Sequence, residues 1–327
     1  MSGFNNRYVG IVKESTYGTD PTSGYVFGEV DDESMKHTYE VMQRTDMTRY
    51  GTAKSNTGKE FSEGDINMAM LADNFLGTVL TGLFPTDTVT GSSPTYTHTF
   101  TEAGTDRSFT MLVGREEKEH TYTGVAVNSM SVSANINEYA MISASFMGKA
   151  ESALASIGTS SPAFNTNDPL YFADAKVFFN GDSTASNLVK SISFDINMNR
   201  DGDNACGLGD ATYVRLPPFQ RREITGTIEF NKIVHTAVES EPTYTQLTSA
   251  DGLELKGSGI ELKVQFGDES TADVLTFNFY KIRFEAPDAN VSGRDTQTMT
   301  VPFIALFSPD DSKMMDVVMK NGQSAAY

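Results

Sequence analysis

The side chains best suited to chemistry are few in this sequence, and their spacing assembles no reaction centre. The four histidines are His37, His98, His120 and His235, and none lies within metal-ligand spacing of another. The motifs HExxH, CxxC, GxSxG and a phosphate-binding loop ending in GK[ST] are missing from the sequence. We therefore predict no catalytic residues, no metal site and no cofactor.

The single cysteine, Cys206, lies in the segment RDGDNACGLGD. One cysteine excludes an intrachain disulfide. A nucleophile or a cation-binding loop could be imagined here, but no histidine is near in sequence and the aspartate spacing fits no EF-hand. We favour a Gly/Asp surface turn with a chance cysteine.

Adjacent carboxylates could in principle serve as a general acid and base. They occur at Asp31-Asp32-Glu33, Glu116-Glu117 and Asp310-Asp311. Neighbours on a strand point to opposite faces, however, and neighbours in a turn point into water. We expect solvated turns, with GREEKEH at the tip of a hairpin.

The composition is that of an acidic globular protein. Of 327 residues 39% are apolar, and 43 acidic against 25 basic residues give a net charge of −18. Such a surface repels nucleic acid, so non-specific DNA binding is a poor interpretation. Neither a long apolar span nor a secretory signal is visible, which predicts no membrane association and synthesis in a cytoplasm.

Alternation of apolar and polar residues, together with scattered turn signals, predicts an all-β fold. Period-2 patterns run through 128–136, 188–199, 224–231 and 260–266. Each predicts a strand with one buried face and one wet or interfacial face. The buried positions expected are Met130, Val132, Ala134, Ile136, Leu188, Ile192, Phe194, Ile196, Met198, Ile224, Ile228, Phe230, Ile260, Leu262, Val264 and Phe266. In 274–286 the apolar face changes near Tyr280, which indicates either a bulge or burial of both faces.

One helix is strongly predicted, over 71–84, and it should pack against a sheet. Phe75 and Leu80 are its expected core positions, and Pro85 ends it. Its apolar stripe is Leu71, Phe75, Leu76, Val79, Leu80, Leu83 and Phe84. A shorter helix is predicted from Glu241-Pro242, with Tyr244 and Leu247 facing inward.

The two halves of the chain have similar patterns on either side of a small, polar segment at 151–168, which we interpret as a linker. At an offset of 162 residues, Gly64, Ile66 and Met68 correspond to Gly226, Ile228 and Phe230. The last strands also match, with Ile142, Ala144 and Phe146 corresponding to Met299, Val301 and Phe303. We predict a tandem duplication, with one β domain at 1–155 and a second at 156–327.

Several segments resemble one known family. YVGIVKESTYGTDPT resembles the opening of many phage tail tube proteins, with Gly10, Glu14, Thr16, Gly18 and Thr19 in a Gly-x-x-x-Glu-x-Thr-x-Gly-Thr pattern. GVAVNSMSVSANINEYAMISASFMGK is similar to the hairpin of tube subunits, and REITGTIEF and DTQTMTVPFIALF are similar to later strands of one branch of the family. The order of the segments carries the resemblance over nearly the whole chain.

This resemblance implies a virion structural protein, the major tail tube subunit, and no enzyme. It implies tail-tube-type β-sandwich or barrel domains with a flanking helix, polymerising as stacked rings around a DNA-conducting lumen. Its partners would be further copies of itself and the tape measure, tail terminator and tail tip proteins. DNA would pass without specific binding, and the protein would reside in the virion tail after assembly in the host cytoplasm. Because single-copy relatives form rings of six, a duplicated chain implies a trimer with approximate sixfold symmetry.

Two groups of residues are expected to act in such an assembly. The candidate lumen-facing residues are Ser193, Asp195, Asn197, Glu229 and Asn231, although their strand faces could equally be ordinary solvent faces. Residues 38–58 are predicted to form a mobile loop or hairpin that orders against a neighbouring subunit or ring. The candidate basic residues in this element and directly after it are Arg44, Arg49, Lys54 and Lys59.

The alternative function is a β-rich phage adhesin, a receptor-binding protein or another virion decoration protein. Carbohydrate recognition uses exposed aromatic platforms, but the sequence has no tryptophan and its tyrosines are dispersed.

Overall fold

The computed structural model describes residues 6–51, 54–152, 154–157, 162–165, 167–248, 259–270, 272–289 and 297–327. The described chain is built from antiparallel strands and two short α-helices, α1 (Asn74–Leu80) and α2 (Tyr244–Thr248). The strands are β1 (Arg7–Lys13), β2 (Val26–Gly28), β3 (Asp32–Glu33), β4 (Lys36–Arg44), β5 (Lys54–Ala69), β6 (Thr86–Ser92), β7 (Thr95–Thr101), β8 (Phe109–Arg115), β9 (Lys118–Asn135), β10 (Met141–Gly148), β11 (Ala150–Glu151), β12 (Ala155–Ser156), β13 (Ala175–Phe179), β14 (Val189–Asn197), β15 (Glu223–Phe230), β16 (Ile260–Phe266), β17 (Val274–Phe284), β18 (Met299–Ala305) and β19 (Met315–Asn321). Short 3₁₀ turns lie at Phe172–Asp174 and Asp203–Ala205. The predicted all-β class with a flanking helix is confirmed.

The two halves of the chain pair their strands in the same order. In the first half the order is β1–β8–β9–β10–β5–β4. In the second half it is β13–β16–β17–β18–β15–β14. Two further pairings, β9 with β14 and β7 with β19, join strands of one half to strands of the other. The hydrogen-bonded sheet is therefore continuous across both halves.

The apolar positions of the alternating segments form the core. Fourteen of the sixteen predicted positions are buried, and Ile260 is partly buried and packed against the core. Ile136 is the exception, because β9 ends at Asn135 and the next side chain turns out of the sheet with 48% of its surface exposed. The prediction for Ile136 is wrong.

The apolar face of β17 changes near Tyr280 both because of a bulge and because both faces of the strand are covered at its start, the two causes that the sequence left open. Leu262 pairs with Phe279 whereas Ile260 pairs with Ile282, so one residue of β16 between these pairs lies opposite two of β17. This is a β-bulge. Four consecutive residues at the start of β17, Val274 to Phe277, are also buried, so both faces of the strand are covered there.

Helix α1 is shorter than the predicted span, yet all seven stripe residues are buried. Asp73 is the N-cap of α1, and its carboxylate accepts a hydrogen bond from the Leu76 N–H at 2.8 Å. Beyond Leu80 the chain continues in tight turns up to Phe84, just before Pro85. Phe75 packs against β2 at Gly28, where an added Cβ would lie 2.5 Å from the ring.

The second helix has its predicted inward-facing residues, whereas part of the predicted linker is strand. Tyr244 and Leu247 of α2 pack against the core as predicted. The first residues of the predicted linker, in contrast, form β11 and β12, which pair with β9. An open edge of a strand is satisfied by any extended chain nearby, and small residues fit there. Residues 153, 158–161 and 166 of the predicted linker lie outside the described residues.

Candidate functional site: a polar sheet face

A broad sheet face carries polar side chains across both halves of the chain. The strand order is β18–β15–β14–β9–β10–β5, followed by β3 and β4 on the outer side of β5. Residues directly opposite each other on paired strands share a face, so the registers define its members. The registers also place Met141, Met147, Pro302 and Ile304 on it. We call the following polar members the polar face: Asp32, Ser34, Lys36, Thr38, Glu63, Asp65, Asn67, Ser129, Ser131, Ser133, Asn135, Ser143, Ser145, Ser191, Ser193, Asp195, Asn197, Thr225, Thr227 and Glu229.

Hydrogen bonds between adjacent strands fix the polar face. Ser131 Oγ donates to the Asp195 carboxylate across the β9–β14 pair. Asn67 Nδ2 donates to Asp32 Oδ1 at 2.7 Å across the β5–β3 pair. Such bonds hold the side chains in place while leaving hydroxyl, amide and carboxylate groups toward solvent.

The charge on the polar face is acidic or balanced. Lys36 Nζ lies 3.1 Å from a Glu63 carboxylate oxygen, and Lys190 Nζ lies 2.8 Å from Glu229 Oε1. Both lysines are thus paired with acids of this face. A polyanion that approaches strands β15, β14, β9, β10 and β5 of the face meets carboxylates and paired lysines, which do not hold phosphate strongly. The exposed Arg283 lies at the margin of the face, on β17 next to β18.

The candidate lumen-facing residues of the sequence all belong to one region. Ser193, Asp195 and Asn197 on β14 and Glu229 on β15 lie side by side on the polar face. Asn231 follows the end of β15, is exposed, and donates its backbone N–H to Leu188 O at 2.8 Å.

Sequence reasoning missed the part of the polar face that comes from the first half. The alternation in 128–136 places Ser129, Ser131 and Ser133 on the polar side of a strand, but it does not connect that side to the candidate lumen-facing residues. Their alternation was a visible signal. What was missing was the pairing of β9 with β14, which joins segments about sixty residues apart in sequence.

The predicted 38–58 element is a hairpin formed by β4 and the start of β5. Their pairing extends to Arg44 opposite Lys54, and residues 52–53 lie outside the described residues. The hairpin exposes several large apolar side chains, namely Tyr39, Val41, Met42, Met47 and Tyr50. A patch of this kind is typical of a protein–protein contact.

The four basic residues of this element do not act as one cluster. Arg44, Arg49 and Lys54 are exposed on the hairpin. Lys59 instead lies near its base, where Nζ is 2.7 Å from Asp203 Oδ1 and 3.3 Å from Glu40 Oε1. Lys59 therefore ties the hairpin to the second half of the chain.

His98 and His120 lie apart from each other, and each makes hydrogen bonds within the fold. His98 is buried between Asp87 and the Gln323 carbonyl, and His120 bonds Glu151 at 2.6 Å. No group of three or more potential metal ligands occurs among the described residues. These histidines contribute to packing and hydrogen bonding within the fold.

Cys206 follows the 3₁₀ turn at Asp203–Ala205, close to the predicted surface turn, and its thiol donates to Gly202 O at 3.5 Å. Burial raises the pKa of this thiol. A raised pKa lowers the thiolate fraction, which is the opposite of what a nucleophile needs.

Two of the three runs of adjacent carboxylates lie in turns, and the third forms a strand. Glu116-Glu117 and Asp310-Asp311 lie in turns, as predicted. Asp32-Glu33 forms β3 instead, and Glu33 accepts two hydrogen bonds from the Arg115 guanidinium at 2.8 Å. The prediction of a solvated turn is wrong there because β5 offers these two residues a pairing edge.

Comparison with known proteins shows the family to which the chain belongs. A search of curated proteins found no match. None of the helices in the described ranges has the length and apolar character needed to span a membrane. The profile of the phage tail tube protein family matches residues 5–305. Because this match covers most of the chain, the protein belongs to the phage tail tube protein family and is a structural component of the virion tail.

Proposed function

We propose that the protein is the major tail tube subunit, that three chains close into a ring with approximate sixfold symmetry, and that the polar face lines the lumen. Membership of the tail tube family implies self-assembly into a tube together with other tail proteins. The ring size, the orientation of the sheet and the absence of catalytic activity are our inferences.

The observation that carries the proposal is the equal register in the two halves. Gly64 pairs with Phe146 and Gly226 with Phe303. Ile66 pairs with Ala144, as Ile228 does with Val301, and Met68 pairs with Ile142, as Phe230 does with Met299. Residues that correspond in sequence therefore have corresponding partners in the two halves, which supports the duplication.

An irregularity also recurs at the corresponding position. Met111 pairs with Tyr122 and Phe109 with Val125, so one residue of β8 between these pairs lies opposite two of β9. The bulge between β16 and β17 has the same count. Alternation alone does not place a bulge, so its recurrence supports duplication over a chance likeness of two β-rich halves.

Duplication bears directly on the ring. A closed barrel needs a fixed number of strands at a fixed tilt and stagger. If each half of the chain fills one of six equivalent positions, three chains complete the ring through head-to-tail contacts. The tube would keep the lumen of a single-copy hexamer with half the number of chains.

The composition of the polar face supports its place at the lumen. DNA in transit must not be held, and unpaired lysine or arginine on the wall would bind its phosphates. Ser, Thr, Asn and carboxylates dominate the face, and its lysines are paired with acids. The exposed β4–β5 hairpin supports contact with a neighbouring subunit or ring.

Electron cryomicroscopy of tubes from the purified protein tests these points. We expect rings of three chains with approximate sixfold symmetry and with Ser133 and Ser193 facing the lumen. Six chains per ring would contradict the duplication proposal but leave the tube function intact. Polar faces on the outer surface would contradict the lumen assignment, and discrete globules that do not polymerise would favour the adhesin alternative.

A further inference from the structure

The internal contact between the two halves provides a template for the contact between chains. In the second half, β14 pairs with β15 on one side and with β9 of the first half on the other. The corresponding strand of the first half consists of β3 and β4, which pair with β5. Among the described residues no strand pairs with the outer edge of β3 and β4. An open edge of this length is a template for pairing with another chain.

The registers identify equivalent residues on the two edges. Lys36 pairs with Glu63, and Asp195 pairs with Thr225. Glu63 and Thr225 are related by the same offset of 162 residues as Gly64 and Gly226. Lys36 is therefore the counterpart of Asp195.

The opposite side of the contact has an equivalent as well. Ser131 of β9 is the internal partner of Asp195, and it also pairs with Ser143 of β10. In the second half Asp288 bridges to Thr300 of β18, which corresponds to Ser143 in the matched end strands. Ser131 lies four residues after Val127, while their partners on β10 are three residues apart. Asp288 likewise lies four residues after Phe284, while their partners on β18 are three residues apart. Asp288 is therefore the counterpart of Ser131.

We propose that residues 35–38 of one chain, at the start of β4, add to residues 286–289 of the next chain in the ring, in the register of β14 on β9, so that Lys36 faces Asp288 of the neighbouring chain. This inference rests on the proposed ring and names the surface through which it closes. Extended backbone would supply the affinity, as in other cases of strand addition.

The charges fit a contact between different copies. Inside the chain the pair is Ser131 with Asp195, a hydrogen bond with one carboxylate. At the proposed contact it becomes a lysine opposite an aspartate. The Lys36 side chain is 63% exposed and already near Glu63 at 3.1 Å, so it would lie between two carboxylates. Opposite charges at a docking edge favour the correct partner strand.

Cysteine cross-linking tests the register. Directly opposite residues on antiparallel strands have Cβ atoms about 4.5–5.5 Å apart, close enough for a disulfide after small shifts. In a Cys206→Ser background, tubes of the Lys36→Cys/Asp288→Cys variant should give chain-to-chain disulfides on oxidation. The Ser131→Cys/Asp195→Cys variant is the matched internal control and should cross-link within one chain. Thr38→Cys with Asp288→Cys, two residues out of register, should react far less.

Charge exchange gives a second readout on the same pair. Lys36→Glu and Asp288→Lys should each lower the fraction of protein that sediments as tubes, and the double variant should recover it. Circular dichroism melts should show each variant folded.

Tubes of the Lys36→Cys/Asp288→Cys variant that give no chain-to-chain disulfide, or a 38–288 pair that reacts better, would overturn the register while leaving the tube function intact. Loss of assembly without recovery in the folded double variant would also count against it. If the wild-type protein formed no rings at all, both this inference and the proposed function would fail.

Discussion

Phe303 lies directly opposite Gly226, and its ring occupies the space that a side chain at 226 would need. A Cβ at Gly226 would lie 2.4 Å from the ring of Phe303 and 2.7 Å from Ser193 O. Gly64, its counterpart in the first half, would place a Cβ 2.5 Å from Met35 Cα. Both glycines therefore allow a close approach of the neighbouring strand, at the position where the two halves match best.

Alanine at either glycine should destabilise the fold. Backbone atoms below 3 Å cannot yield without moving a strand, so Gly64→Ala and Gly226→Ala should each lower the free energy of unfolding by about 1–3 kcal/mol or more. Gly51→Ala is the control, since nothing lies within 4 Å of its added Cβ. Urea denaturation would measure the difference. Equal stability of all three variants would refute the close-approach argument.

Truncation of the α1 stripe should open a cavity. Phe75 and Leu80 are 1% and 0% exposed, so Phe75→Ala or Leu80→Ala should cost about 2–5 kcal/mol of stability. Leu208→Ala makes the same leucine truncation at a fully exposed site and should change stability little. A melting temperature unmoved by the two core changes would contradict the packing of α1.

The cap of α1 should make stability depend on pH. Burial, with a smaller effect of Glu29, raises the pKa of Asp73 from 3.8 to about 6. The folded state thus binds this proton more tightly than the unfolded state, so stability falls as pH rises from about 4 to about 6 and stays lower above that. Asp73→Asn keeps the capping acceptor but removes the charge.

The variant should therefore be more stable than wild type at pH 7, on the order of 2–3 kcal/mol, and the gap should close toward pH 4. Denaturation of both proteins at pH 4 and pH 7 measures this difference in stability. Because the other acidic residues are the same in both proteins, their contributions cancel in the comparison. A constant difference across this range would mean that Asp73 does not titrate as proposed.

Removal of the exposed hairpin should separate folding from assembly. Deletion of 44–57 removes the tip with Met47 and Tyr50 and spares the Lys59–Asp203 contact. We expect a folded monomer that does not polymerise, measured by circular dichroism and sedimentation. The Arg44→Glu/Arg49→Glu variant keeps the apolar tip and tests whether charge alone matters. Normal tubes from the deletion would rule out an assembly role for this hairpin.

The parts of the fold that local pattern determines could be predicted, and those that long-range pairing determines could not. Alternation gave the buried faces of β14, β15 and β16 because side chains alternate along any strand. It could not place Lys59, whose partner Asp203 is 144 residues away. Ile136 followed the alternation but lies beyond the strand end, since a turn and not the pattern ends β9. The matching strand register of the two halves was accessible because the pattern repeats in sequence.

The lumen assignment predicts how added positive charge should act. Ser133→Lys, Ser193→Lys and Thr227→Lys would place three lysines on adjacent strands of the polar face, where they are neighbours by register. Phosphates would then be retained on the wall, more strongly at low salt because counterions are released on binding. Tubes of this variant should bind short fluorescent DNA, whereas wild-type tubes should not, and binding should decline steeply as salt is raised. Lysines at Ser183, Leu208 and Val238, which are exposed elsewhere, add the same charge and serve as the control. If both triple variants bound DNA equally, the polar face would have no special relation to the lumen.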